Sequence, residues 1–125
     1  MPKKILVVDD TTDTRDLLHF YLSNAGFDVI IAADGGEGLY RAKADKPDLI
    51  ITDITMPNLD GHQMIKQLRD EAEFAGVPII VMSAYGKDFI NKALEHGATD
   101  TIEKPMNLDI LVEKVKTLTG ESNVS

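Results

Sequence analysis

The sequence has no cysteine and no tryptophan, and aromatic residues make up only 6% of its 125 positions. The missing cysteines exclude thiol catalysis, thiolate-ligated zinc and a disulfide scaffold, and they fit a reducing compartment. Long apolar runs are missing too. No stretch approaches the roughly 18 apolar residues of a membrane span. The run after MPKK, Ile5 to Val8, is too short for the apolar core of a secretory signal. The expectation is a cytoplasmic protein with no membrane contact. Basic residues are scarce, with 13 Lys and Arg against 21 Asp and Glu, a net charge of −8. A field of that sign works against nucleic acid and anionic membranes as partners.

What is present suits an ordinary globular domain: 43% hydrophobic and 27% charged residues. A single domain over 1–120 with a short tail, 121–125, accommodates the length. A chain of this size buries roughly two-thirds of its unfolded surface and needs no staple to fold. Five short β-branched runs recur: ILVV (5–8), DVIIA (28–32), LIIT (49–52), IIVM (79–82) and TIE (101–103). The first four are continuous rather than alternating, the pattern of strands covered on both faces.

Helical stripes lie between them. Leu17, Leu18, Tyr21, Leu22 and Ala25 form one stripe, stopped by Gly26. Met64, Ile65 and Leu68 form another, as do Phe89, Ile90, Ala93 and Leu94 before Gly97. Leu108, Leu111, Val112, Val115 and Leu118 precede Gly120. The segment 36–45 is the weakest helix: Gly36 and Gly38 each cost about 1 kcal/mol relative to Ala, and Leu39 and Ala42 anchor it. Strand and helix alternate five times. This predicts an α/β fold, a (βα)5 doubly wound parallel sheet with helices on both faces. Periodicity does not fix the strand order; 2-1-3-4-5, flavodoxin-like, is the order carried forward.

In such a sheet, ligands bind beyond the carboxyl ends of the strands, where the order reverses, here between strands 1 and 3. Strand 1 ends in Asp9-Asp10 and strand 3 in Asp53. Three ionised carboxylates at one edge repel unless a cation sits among them, and hard oxygen donors there suit Mg2+. An acid at the start of the first helix is also a good N-cap, which accounts for one of the pair but not both. Strand 4 ends in Ser83-Ala84, and strand 5 runs into Glu103-Lys104-Pro105. Singly, Ser83 reads as a helix cap and Lys104 as a solvated lysine. Together, four strand ends carry groups suited to phosphate chemistry.

At this point the chain resembles the receiver domains of two-component response regulators, chemotaxis-regulator-like, over residues 1–120. The resemblance rests on VVDD (7–10), DITMPNLDG (53–61), MSA (82–84) and EKP (103–105). It implies the 2-1-3-4-5 order. It implies that Asp53 accepts a phosphoryl group from a phosphohistidine of a sensor histidine kinase or phosphotransfer protein. Mg2+ would be held by Asp10, Asp53 and the backbone carbonyl of Thr55, with Asp9 acting through water. Ser83, the backbone of Ala84 and Lys104 would contact the phosphoryl oxygens. Pro57 and Gly61 would shape the loop after Asp53, and the bond between Lys104 and Pro105 would be cis. The face over 86–119 would carry the output to a downstream protein, from a monomer or weak dimer. Self-dephosphorylation is implied, and turnover of an outside substrate is not.

One position departs from the family. An aromatic switch residue stands three places before the lysine in most members, and here it is Thr101. A hydroxyl cannot gate a pocket as a ring does; Tyr85 is a candidate to take over part of that role. His19 and His62 read as exposed helical positions, and His96 as a helix end. Two alternatives compete. A phosphorylation-independent binding module on this fold should have lost acids or the lysine, and all are present. An Asp-nucleophile phosphatase of the dehalogenase type has a second Asp two places after the first, where this chain has Thr55.

Overall fold

The computed structural model describes residues 2–54, 61–84 and 87–120, leaving out the side chains of Gly61, Lys87 and Phe89. Five strands, β1 (Lys4–Val8), β2 (Asp28–Ala32), β3 (Leu49–Asp53), β4 (Ile79–Ser83) and β5 (Asp100–Glu103), pair in parallel in the order 2-1-3-4-5. Five helices intervene: α1 (Thr12–Asn24), α2 (Gly35–Asp45), α3 (Gly61–Arg69), α4 (Lys87–Glu95) and α5 (Leu108–Thr119). A 3-10 turn, Ala72–Phe74, follows α3.

The apolar runs of β1, β3 and β4 are covered on both faces, whereas β2, at the edge of the sheet, departs from that expectation: Asp28 and Ile31 are exposed. Residues of β1, β3 and β4 that point one way join Met64, Ile65, Leu68 and Ala93 in a core under α2, α3 and α4. Those that point the other way join Leu18, Leu22, Leu111 and Val115 under α1 and α5. Every residue of β3 and β4 is buried.

The helical stripes are only partly buried. On α1 only Leu18 and Leu22 are buried, while Leu17 and Tyr21 are exposed. Each lies one residue, or 100° of turn, away from the buried pair, beyond the sheet's reach. Phe74, in the 3-10 turn, is a core residue with no periodic signal to mark it. Leu94 is likewise exposed, whereas Ala93 beside it is buried.

The weak helix α2 is strengthened by features its stripe does not show. Asp34 caps it, accepting from the Glu37 amide at 2.8 Å. Gly38 is buried against β1: an added Cβ would stand 2.9 Å from Val8 Cγ2 and 3.0 Å from Met64 Sδ. The glycine that weakens the helix is what lets it approach the sheet.

Candidate functional site

Parallel register builds the site. Val8 pairs with Thr52, so Asp9, one residue on, comes level with Asp53 at the carboxyl edge. Asp53 pairs with Met82, and Ser83 with Glu103, which leaves Lys104 just past the end of β5. Backbone bonds hold these ends: the Asp9 amide donates to Ala32 O (3.1 Å), the Ile54 amide to Met82 O (3.1 Å) and the Lys104 amide to Ser83 O (2.8 Å). The buried Thr52 hydroxyl donates to Asp53 O at 3.0 Å.

The sheet thus brings together the acids that the sequence singles out. One carboxylate oxygen from each of Asp9, Asp10 and Asp53 lies within 4.8 Å of the others, with Asp10 exposed and the other two buried. Asp9 is 0% exposed and Asp53 8%, so water does not relieve their charge. Lys104 does: its Nζ lies 2.9 Å from Asp9 Oδ2 and 3.1 Å from Asp53 Oδ2. Asp9 Oδ1 accepts from the Thr11 amide at 2.8 Å, so this acid serves the turn into α1 rather than capping the helix itself. Burial alone would lower the Lys104 pKa. The hydrogen bonds and charge of Asp9 and Asp53 outweigh that and raise it above the ordinary lysine value.

Three carboxylates face one ammonium, an excess of two negative charges when all are ionised. A compact set of hard oxygen donors with that excess fits a hydrated divalent cation such as Mg2+, and nothing in it suits a soft metal.

Ser83 is buried at the end of β4, and Ala84 follows it exposed. The bond between Lys104 and Pro105 is cis. Thr101 lies on the edge strand β5, where it pairs with Val81 and is half-buried. Gly61 opens α3. Thr55, Pro57 and Tyr85 lie outside the described residues.

Sequence reasoning missed two arginines and misplaced a histidine. Arg15 donates from Nη1 to the Asp9 carbonyl (2.7 Å) and from Nη2 to Thr12 Oγ1 (3.2 Å), bringing a second cation to the site's rim. Its signal was position, one turn into the helix that follows the acid pair. Arg69 binds a web of carbonyls. His62, read as exposed, is half-buried, its ring 5.2 Å from that of His96 and nearly perpendicular to it.

A doubly wound sheet with an acid trio and a lysine at its switch point defines a class, and the comparisons place the chain in it. The family model of the response regulator receiver domain matches residues 5–116, and the chain belongs to that family. Among curated relatives, "Alkaline phosphatase synthesis transcriptional regulatory protein PhoP" of Bacillus subtilis (strain 168) is 40% identical over 126 aligned residues. The alignment covers 100% of this chain and 52% of that protein. "Response regulator MprA" of Mycolicibacterium vanbaalenii is 37% identical, covering 94% of this chain and 51% of that one. The chain spans about half the length of these relatives. Among solved structures, a putative response regulator from Chloroflexus aurantiacus superposes with a TM-score of 0.92 at 31% identity, covering 96% of this chain and 99% of that one. Chemotaxis response regulator CheY4 of Vibrio cholerae gives 0.89 at 29%, covering 94% and 99%. Receiver domains are phospho-acceptor signalling domains of two-component systems rather than conventional enzymes.

Proposed function

We propose that this domain is a phosphorylation-dependent switch in which Asp53 accepts a phosphoryl group from a phosphohistidine. A carboxylate oxygen of Asp53 forms the bond to phosphorus as the P–N bond breaks, and the imidazole leaves with the bonding pair. The product is an acyl phosphate. The observation that carries this reading is the convergence of Asp9, Asp10 and Asp53 within 4.8 Å, with Lys104 reaching two of them.

Lys104 is charged and lies at Asp53 Oδ2, so it can pass from the carboxylate to an incoming phosphoryl oxygen without crossing the site. Ser83, at the end of the neighbouring strand, supplies a hydroxyl and Ala84 a backbone amide on the same edge. The chemistry of the donor set supports Mg2+ as the cofactor, held by Asp10, Asp53 and the Thr55 carbonyl, with Asp9 acting through water. When bound, the ion offsets charge on the phosphoryl oxygens during transfer. Water attack on the acyl phosphate would return the resting state, so the only turnover assigned to the domain is its own dephosphorylation.

The donors are a sensor histidine kinase or phosphotransfer protein, and the output passes by protein contact through the 86–119 face. The relatives named as transcriptional regulators are about twice as long, and nothing in this acidic domain itself favours nucleic acid. No helix among the described residues is long and apolar enough to cross a membrane. We assign the domain to the cytoplasm, as a monomer or weak dimer. Retention of all three acids and the lysine speaks against a phosphorylation-independent module.

The test is intact mass after incubation with a small-molecule phosphodonor. One phosphoryl adduct is expected with Mg2+ present and none after chelation. An adduct that persists in Asp53→Asn would overturn the assignment.

A further inference from the structure

Arg69, the last residue of α3, ties three segments together. Its Nη1 donates to Phe74 O (2.7 Å) and Val77 O (2.8 Å), in the stretch that leads into β4. Its Nε donates to Gly97 O (2.9 Å), and its Nη2 to Thr99 Oγ1 (3.3 Å), in the turn that leaves α4 for β5. Thr99 is itself fixed to the sheet, its Oγ1 accepting from the Ile79 amide (3.0 Å) and its amide donating to Ile79 O (2.8 Å). These partners are neutral oxygens, and burial lowers the guanidinium's pKa. A charged fork spent on carbonyls fixes geometry more than it forms a strong ion pair.

Gly97 is shaped to this contact. It sits at φ +113°, and an added Cβ would stand 2.8 Å from Arg69 Cγ. The contact of His62 with His96 adds a second link between α3 and the same end of α4. The C-terminal end of α4 is therefore bound to α3 and, through Thr99, to the sheet. The other end of α4 begins shortly after Ser83-Ala84, on the edge that carries the acid cluster.

We propose that Arg69 makes the C-terminal end of α4 a fixed pivot, so that a signal from the site moves this helix by its N-terminal end. The inference rests on the phospho-acceptor reading above. With the far end clamped, a pull at the Ser83 end becomes a tilt of the helix. Arg69 is a positioning residue in this scheme; it touches neither Asp53 nor Lys104.

Amide NMR of the full chain with beryllofluoride and Mg2+, a mimic of the acyl phosphate, tests it. In the wild type, residues 83–90 and 103–104 should shift, while 96–99 stay within experimental error. In Arg69→Lys, which keeps charge but not the fork, the shifts should spread through 96–99. Gly97→Ala, which keeps the arginine but displaces it, should do the same. Wild-type shifts at 96–99 as large as those at 84–88 would overturn the pivot. So would folded variants that are less stable yet keep the wild-type pattern, the mark of a purely structural arginine. A mimic that perturbs nothing at Asp53, Ser83 and Lys104 would instead overturn the phospho-acceptor reading, and the pivot would fall with it.

Discussion

Lys104 holds together a cluster that would otherwise repel itself. Its ammonium bridges two buried carboxylates while remaining partly open to solvent. Replacing it by Met should lower the stability of the metal-free protein at pH 7 by about 1–2 kcal/mol, a figure reduced for solvent screening. Because the folded-state pKa is raised, this contribution is fully present below the ordinary lysine value of about 10.4. It fades as pH climbs through the folded value. Urea titrations of wild type and Lys104→Met should therefore converge at strongly alkaline pH; a gap that stays constant would contradict the assignment. At this scale the sequence told most of the story. Asp9, Asp10, Asp53 and Lys104 were legible because each falls at a strand end, where chain direction fixes position. Arg69 and the His62–His96 contact were not legible, because they depend on how α3 and its neighbouring turns come together in the fold, which no local pattern encodes.

At the scale of the element, α2 shows why propensity is a weak guide. By propensity, Gly38→Ala should stabilise the helix by about 1 kcal/mol. The added Cβ would meet Val8 and Met64 at 2.9–3.0 Å, and overpacking of that kind costs about 1–3 kcal/mol. We expect net destabilisation, measured as a lower urea midpoint; a higher one would show that the helix simply moves away. Asp34→Ala should cost about 1 kcal/mol through the lost cap, with no effect on phosphoryl uptake. The β-branched runs located all five strands, and the polar residues read at two strand ends, Asp53 and Ser83, are the last residues of β3 and β4. A polar residue can end a buried strand when the edge it reaches is a site. The two-residue error on α1 arose because Leu17 and Tyr21 are apolar without being covered.

For the whole molecule, alternation of strand and helix gave the layers, whereas the strand order came only through resemblance to receiver domains. Register then does what motif reading cannot: it sets residues 9, 53 and 104 side by side from positions far apart in the chain. If the excess negative charge at that edge is a cation site, Mg2+ should raise the unfolding midpoint as its concentration increases, following simple mass action. Asp10→Asn, which removes the exposed acid, should weaken that response more than it changes stability without metal. An unaltered response would remove Asp10 from the site.

The central claim is chemical: Asp53 becomes an acyl phosphate. Borohydride reduction of the phosphorylated protein converts such an aspartate to homoserine, which peptide mass spectrometry locates. We predict homoserine at position 53, and only after exposure to phosphodonor with Mg2+. Homoserine at position 9 or 10, or a phosphoryl group recovered on a histidine, would contradict the account.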